Sequence, residues 1–192
     1  MQNPLNRNHL YLRRKVLKIL GAGFQLFDEN DEQIGYSEQK AFKLKEDIRV
    51  KAGTSKDPSP ELLTIKARQV VDFSACYDVV DTEEGRKIGA LRRKGFASMA
   101  RDSWQILDEN DEQIGEIKED SMTLALIRRF LASFIPQTFR VFVGGDEVAR
   151  IKQRFNLFVY KLDATCDQPE KFDGRMLTAS TILLAAIEGA QS

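Results

Sequence analysis

One stretch of eight residues occurs twice in this chain. Asp28-Glu29-Asn30-Asp31-Glu32-Gln33-Ile34-Gly35 returns unchanged as Asp108-Glu109-Asn110-Asp111-Glu112-Gln113-Ile114-Gly115, an offset of 80 residues (108 − 28). The match extends upstream in kind, with Phe24-Gln25-Leu26-Phe27 against Trp104-Gln105-Ile106-Leu107. Further upstream stands a second identical block, Leu12-Arg13-Arg14-Lys15 and Leu91-Arg92-Arg93-Lys94. A basic strand followed by a hairpin is thus used twice, over residues 12–36 and 91–116. A repeat constrains a fold more than any single segment does, because one architecture has to accommodate both copies.

Each copy reads as a β-hairpin. An aromatic-rich strand runs into a polar stretch with Asn-Asp at its centre. Both residue types tolerate left-handed backbone angles and bond their own backbone, as a tight turn requires. A looser third copy runs from Tyr77 to Asp81, through Thr82-Glu83-Glu84-Gly85, into Ile88-Gly89. A fourth hairpin joins Phe139–Val143 to Val148–Ile151 through Gly144-Gly145-Asp146. Further strands are expected at Leu10–Val16, Ala41–Leu44, Ile48–Lys51, Leu62–Ala67 and Leu157–Leu162. The stretch Thr54–Pro60 carries two prolines and reads as a long hairpin loop. Many short strands with turn signals between them point to a β-sandwich or a β-barrel.

Two segments leave this pattern. Met122, Leu126, Ile127, Phe130, Leu131 and Phe134 recur at three and four residues, which predicts an amphipathic helix that stops before Pro136. Met176 to Ile187 is apolar on every side, with Asp173 as N-cap and Gly189 as stop. A helix apolar all round is buried in protein or in lipid. Twelve residues are too few to cross a bilayer, so this helix is expected inside the protein.

At 192 residues the chain suits one larger-than-average domain, 1–192, that needs no disulfide or metal staple. Its 29 basic and 29 acidic side chains cancel, against the basic excess of a nucleic-acid binder. No apolar run matches a signal peptide or a transmembrane segment, so the expected setting is the cytoplasm, at most peripheral to a membrane. Cys76 and Cys166 can be bridged or free, and the packing reading is preferred.

The acidic repeat invites a calcium reading, since Asp28, Asn30 and Glu32 alternate. It fails because the sixth position, which needs glycine, is Gln33 or Gln113, and strands flank the turn. His9 is the only histidine and lies in a stretch expected to fray, which leaves imidazole chemistry and zinc without a partner set. Gly21-Ala22-Gly23 lacks the lysine–serine pair of a phosphate loop and reads as a turn. No cofactor and no catalytic set are expected. The candidate ligand-binding residues are the two basic blocks, Arg13, Arg14, Lys15, Arg92, Arg93 and Lys94. They suit a phosphate-bearing anion if the copies approach each other. The alternative is solubilising charge on exposed strands. Alternation also means that only one arginine of each pair faces outward.

Three features carry a family resemblance: the opening strand Tyr11-Leu12-Arg13-Arg14-Lys15-Val16 before the hairpin Phe24–Gly35, the recurring aromatic–x–aliphatic–aliphatic–Asp, turn, Ile-Gly unit, and Phe172-Asp173-Gly174-Arg175-Met176-Leu177 leading into the apolar helix. The chain resembles the tubby C-terminal-like superfamily, which includes tubby domains, phospholipid scramblases and LURP-one-related proteins. That resemblance implies a closed barrel of about twelve antiparallel strands around the C-terminal helix, and no enzyme. Tubby domains bind phosphoinositides, and scramblases are associated with lipid movement and calcium. The proline-rich leader and cysteine cluster of scramblases are not in this sequence, which is closer to the small stand-alone members. The leading expectation is a non-enzymatic binding or scaffold module for an anionic lipid headgroup or a phosphorylated ligand. The alternatives are a protein–protein adaptor using a sheet edge or hairpin tips, and an enzyme with an unrecognised site.

Overall fold

The computed structural model describes residues 3–15, 23–37, 47–54, 59–68, 75–94, 103–120, 136–156 and 159–187. Among the described residues twelve strands appear in chain order: β1 (His9–Lys15), β2 (Phe24–Phe27), β3 (Gln33–Ser37), β4 (Ile48–Ala52), β5 (Glu61–Ala67), β6 (Cys76–Asp81), β7 (Arg86–Arg93), β8 (Ser103–Leu107), β9 (Gln113–Glu119), β10 (Thr138–Val143), β11 (Asp146–Arg154) and β12 (Val159–Cys166). One helix follows, α1 (Gly174–Ile187). Each strand pairs antiparallel with its sequence neighbours, and β12 pairs back onto β1, which closes the barrel. Closure removes the free edges that an open sheet would present. The described strands therefore offer no edge to an adaptor.

The sequence placed the hairpins well because turn chemistry is local. In the first copy Asp28 Oδ1 accepts the amides of Asn30 and Glu32 at 3.0 and 2.9 Å, and Asp31 takes φ 64°. In the second, Asp108 Oδ1 accepts those of Asn110 and Glu112 at 2.9 and 2.8 Å, and Asp111 takes φ 69°. The aspartate folds onto its own backbone and frees the Asn-Asp pair to turn. The fourth hairpin turns on Gly144 and Gly145 alone, both at positive φ, and β11 begins already at Asp146.

Two expectations need correction and two fall elsewhere. His9 does not fray: it opens β1 opposite Thr165, and its Nε2 lies 2.9 Å from Asp163 Oδ1. Strand β12 runs on to Cys166 instead of ending at Leu162. The amphipathic helix over Met122–Phe134 and the strand over Ala41–Leu44 lie outside the described residues.

Every residue of α1 is buried. The barrel wall lines it with the alternate residues of each strand, among them Leu10, Leu12, Leu63, Ile65, Leu91 and Ile106. Asp173 caps the helix: its Oδ1 accepts the Arg175 amide at 2.8 Å. The hydroxyls that such burial would orphan are satisfied: Ser180 donates to the Met176 carbonyl at 2.7 Å and Thr181 to that of Leu177 at 2.8 Å. Thr178 donates to the Leu5 carbonyl at 3.0 Å, which ties α1 to the segment before β1.

Candidate functional site

The two basic blocks end up on opposite walls. Strands β1 and β7 are six steps apart in a ring of twelve. The blocks therefore do not form one patch, although each shows the alternation expected of a strand. In β1, Leu10 and Leu12 face the interior, so Arg14 follows them inward and Arg13 points out. Arg14 donates from Nη1 to the Ala185 carbonyl of α1 at 3.0 Å. Burial pulls its pKa below the usual arginine range, against a smaller upward pull from Tyr160. A cation at a helix C-terminus offsets the helix dipole, and α1 has no basic residue of its own in its last turn. Lys15 closes β1 opposite Val159.

In the second block Arg93 pairs with Trp104, a fully buried residue, and directly opposed residues share a face. Arg93 is thus the inward arginine. Arg92 stands between Cys76 and Gln105 on the other face, and Lys94 Nζ lies 3.8 Å from Glu116. The outer wall of this copy carries its own neutralising set. Arg68 and Lys87 both hold Asp111, at 2.5 and 2.6 Å, and both reach Asp78. Hydrogen bonds from Arg68, then from Lys87, hold the Asp111 carboxyl down at about 2. Arg68, Lys87 and Lys94 of this wall are thus held by acids.

The first copy differs. Strands β1, β12 and β11 are consecutive in the ring. Arg13 stands directly opposite Lys161, and Lys161 directly opposite Arg154. Three cations form one cross-strand row, an arrangement that costs stability unless something offsets the repulsion. Two are partly offset: Arg13 bonds Asp31, and Arg154 bonds Asp163 at 3.1 Å from Nε. Lys161 has no ion pair among the described residues. Aromatic faces support the ends of the row. The Arg13 guanidinium lies 4.1 Å from the Phe27 ring centroid, and that of Arg154 lies 4.9 Å from Tyr11. A groove of about 370 Å³ runs along the row, bounded by Glu29, Asp31 and Phe155, the last 52% exposed.

Sequence reasoning singled out Arg13 but missed Arg154 and Lys161. The signal that unites them is the register between strands far apart in the chain, which a periodicity of two does not contain.

At the start of α1 a charged cluster has a structural job. Arg175 donates to Asp81 at 2.7 Å, to Glu84 at 3.1 Å and to Asp173 at 2.6 Å. Asn3 adds a bond to Asp81 at 2.9 Å. Asp81 is 1% exposed, and burial alone would raise its pKa; bonds from the Glu84 amide, Arg175 and Asn3 bring it below the usual range. A buried ion pair satisfied this fully fixes the start of α1 against the wall. Both cysteines are buried and free, and burial raises the Cys166 thiol. Among the described residues no group of three or more His, Cys, Asp or Glu is placed to hold a metal ion. Among them, too, no helix is long and apolar enough to cross a membrane.

Compared with protein-family models, residues 34–184 match LURP-one-related. The chain belongs to the LURP-one-related family. No curated protein and no solved structure matches it. Family membership agrees with the closed tubby-like barrel traced above. In this LURP-one-related barrel the matched span begins inside β3 and ends inside α1. Arg154 and Lys161 fall within it. Strands β1 and β2, which close the barrel and bring Arg13, lie before it.

Proposed function

We propose that this LURP-one-related barrel is a non-enzymatic binding module that takes a phosphate-bearing anion on the row Arg13–Lys161–Arg154. The observation that carries the reading is the placement of three cations in direct cross-strand register, the middle one without an ion-pair partner among the described residues. An anion bridging the row would relieve their mutual repulsion. Arginine's fork suits phosphate oxygens, and both arginines are held against aromatic faces in advance. Asp31, the acid on Arg13, is 63% exposed and readily displaced, since surface ion pairs are worth roughly 0–1 kcal/mol. The interior is filled by α1 and apolar side chains, which leaves the outer wall for recognition. A reducing, cytoplasmic setting goes with two free, buried thiols.

The anion can be soluble or a lipid headgroup, and the two are separable. Titration calorimetry with inositol hexakisphosphate at low salt should give saturable binding that weakens as salt rises, because exposed charges are screened beyond about 8 Å at physiological ionic strength. Lys161→Glu should abolish it with an unchanged melting temperature. Sedimentation with vesicles containing phosphatidylserine, against phosphatidylcholine alone, reports whether the headgroup is also taken from a bilayer. Equal binding by wild type and Lys161→Glu in both assays defeats the reading.

A further inference from the structure

The duplicated octapeptide sits in two different surroundings, and the difference points to a second site. At the first copy the chain covers its own hairpin tip with residues 3–7. Leu5 is fully buried, and its side chain lies 3.3 Å from the place where a Cβ on Gly35 would stand. Two residues on, Arg7 Nη1 lies 3.6 Å from Asp28 and 3.5 Å from Glu29. Ile34, the counterpart of Ile114, is partly buried and packs against the core. The cover is a tight turn, in which the Asn6 amide donates to the Asn3 carbonyl at 2.9 Å and the Arg7 amide to that of Leu5 at 3.1 Å, and it carries an apolar residue, one spacer and an arginine.

At the second copy the same residue types form an open groove of about 390 Å³. Ile106, Leu107, Asp108, Glu109 and Ile114 line it, each 80 residues on from Leu26, Phe27, Asp28, Glu29 and Ile34. Ile114 is 41% exposed. Where Gly35 meets Leu5, the nearest neighbours of Gly115 are Phe142 and Val143 of β10. Asp108 and Glu109 make no ion pair among the described residues. The cations at the rim are engaged elsewhere, Arg86 by Glu84 and Lys171 by Asp146. An apolar floor is left beside two acids without counterions.

We propose that this groove docks a turn-forming segment of another protein that carries a bulky apolar residue and, two positions later, an arginine or lysine. The apolar side chain covers Ile114, above the already buried Leu107, as Leu5 covers the first copy. The cation reaches Asp108 and Glu109, as Arg7 reaches Asp28 and Glu29. The charge is complementary, and the chain's own segment supplies the template. The site is independent of the cationic row on β1, β12 and β11.

The test uses the full chain and a blocked hexapeptide with the sequence of Asn3 to Asn8. Methyl NMR should show saturable shifts at Ile114 and Leu107. A peptide with alanine in place of the leucine and arginine should shift neither. In the protein, Glu109→Lys and Ile114→Asp should each weaken binding roughly tenfold or more, as reversed or misplaced charge does at an interface. Both positions are exposed, so the melting temperature should hold. The proposal is overturned if the alanine peptide shifts the same methyls. It is overturned if the shifts centre on Ile34, since the peptide would then be displacing the chain's own segment. It is overturned too if sedimentation shows a dimer that Ile114→Asp dissolves, because the occupant would then be a second copy of this chain.

Discussion

Asp28 and Asp108 close the same turn with the same bonds, and Asp31 and Asp111 turn the chain at the same positive φ. Around that shared backbone the surroundings diverge. The first hairpin is roofed by residues 3–7, sends Arg14 to the end of α1 and places Arg13 in a cationic row. The second keeps Ile114 exposed and spends its cations on Asp78 and Asp111. A duplicated sequence thus fixes a local conformation twice but an environment only once, because environment depends on which strands and termini arrive beside it.

The comparison breaks most visibly at the roof. Leu5→Ala should cost about 2–5 kcal/mol, since it empties a fully enclosed site, while Ile114→Ala should stay within about 0.5 kcal/mol. Urea denaturation of the two variants checks this. Equal costs would mean that the two tips are not differently covered.

A smaller contrast lies one residue on. A Cβ at Gly115 would stand 2.2 Å from the Phe142 carbonyl oxygen, against 3.0 Å from that of Lys51 at Gly35. Gly115→Ala should therefore cost about 1–3 kcal/mol and Gly35→Ala clearly less, because the closer approach forces the neighbouring strand to move whereas the longer one needs only a slight adjustment. If the order reverses, β9 and β10 are not as close as β3 and β4.

Arg14→Met keeps the stem but removes the donor to Ala185. Its expected cost is about 1–2 kcal/mol, in the range of a charge-assisted bond at a helix end. A variant as stable as wild type would show that the first copy holds α1 through Leu5 alone.

The smallest effect depends on pH. The folded Asp111 carboxyl titrates at about 2, below its ordinary 3.8. A depressed carboxylate stabilises the fold fully above the unfolded value and loses that contribution as pH falls toward the folded one. Asp111→Asn keeps a residue that tolerates positive φ. It should lower the denaturation midpoint slightly at pH 6 and leave it unchanged near pH 2. Since Asp111 is 43% exposed, the difference at pH 6 should stay below about 1 kcal/mol. A gap that persists at pH 2 would place the effect in the turn backbone.

The hairpins were legible because their determinants lie within a few residues: Asp-x-Asn-Asp for the two acidic turns and Gly-Gly for the fourth. The cap and burial of α1 were legible for the same reason, from Asp173 and an apolar run without a polar face. The alternation of Arg13 and Arg14 followed from strand geometry alone. The fraying assigned to His9 failed because its partner, Asp163, is 154 residues away.

What the sequence by itself determined was therefore a set of local conformations: strands, turns, a capped apolar helix and a repeat. The tertiary structure alone decided that the two basic blocks face away from each other, that Arg13 meets Lys161 and Arg154, and that residues 3–7 roof one hairpin tip and leave its twin open. The physical reason is that a strand's period of two states which side chains share a face but not which strand lies alongside. That choice is made when the ring closes and β12 returns to β1, and it joins residues the chain holds well over a hundred positions apart.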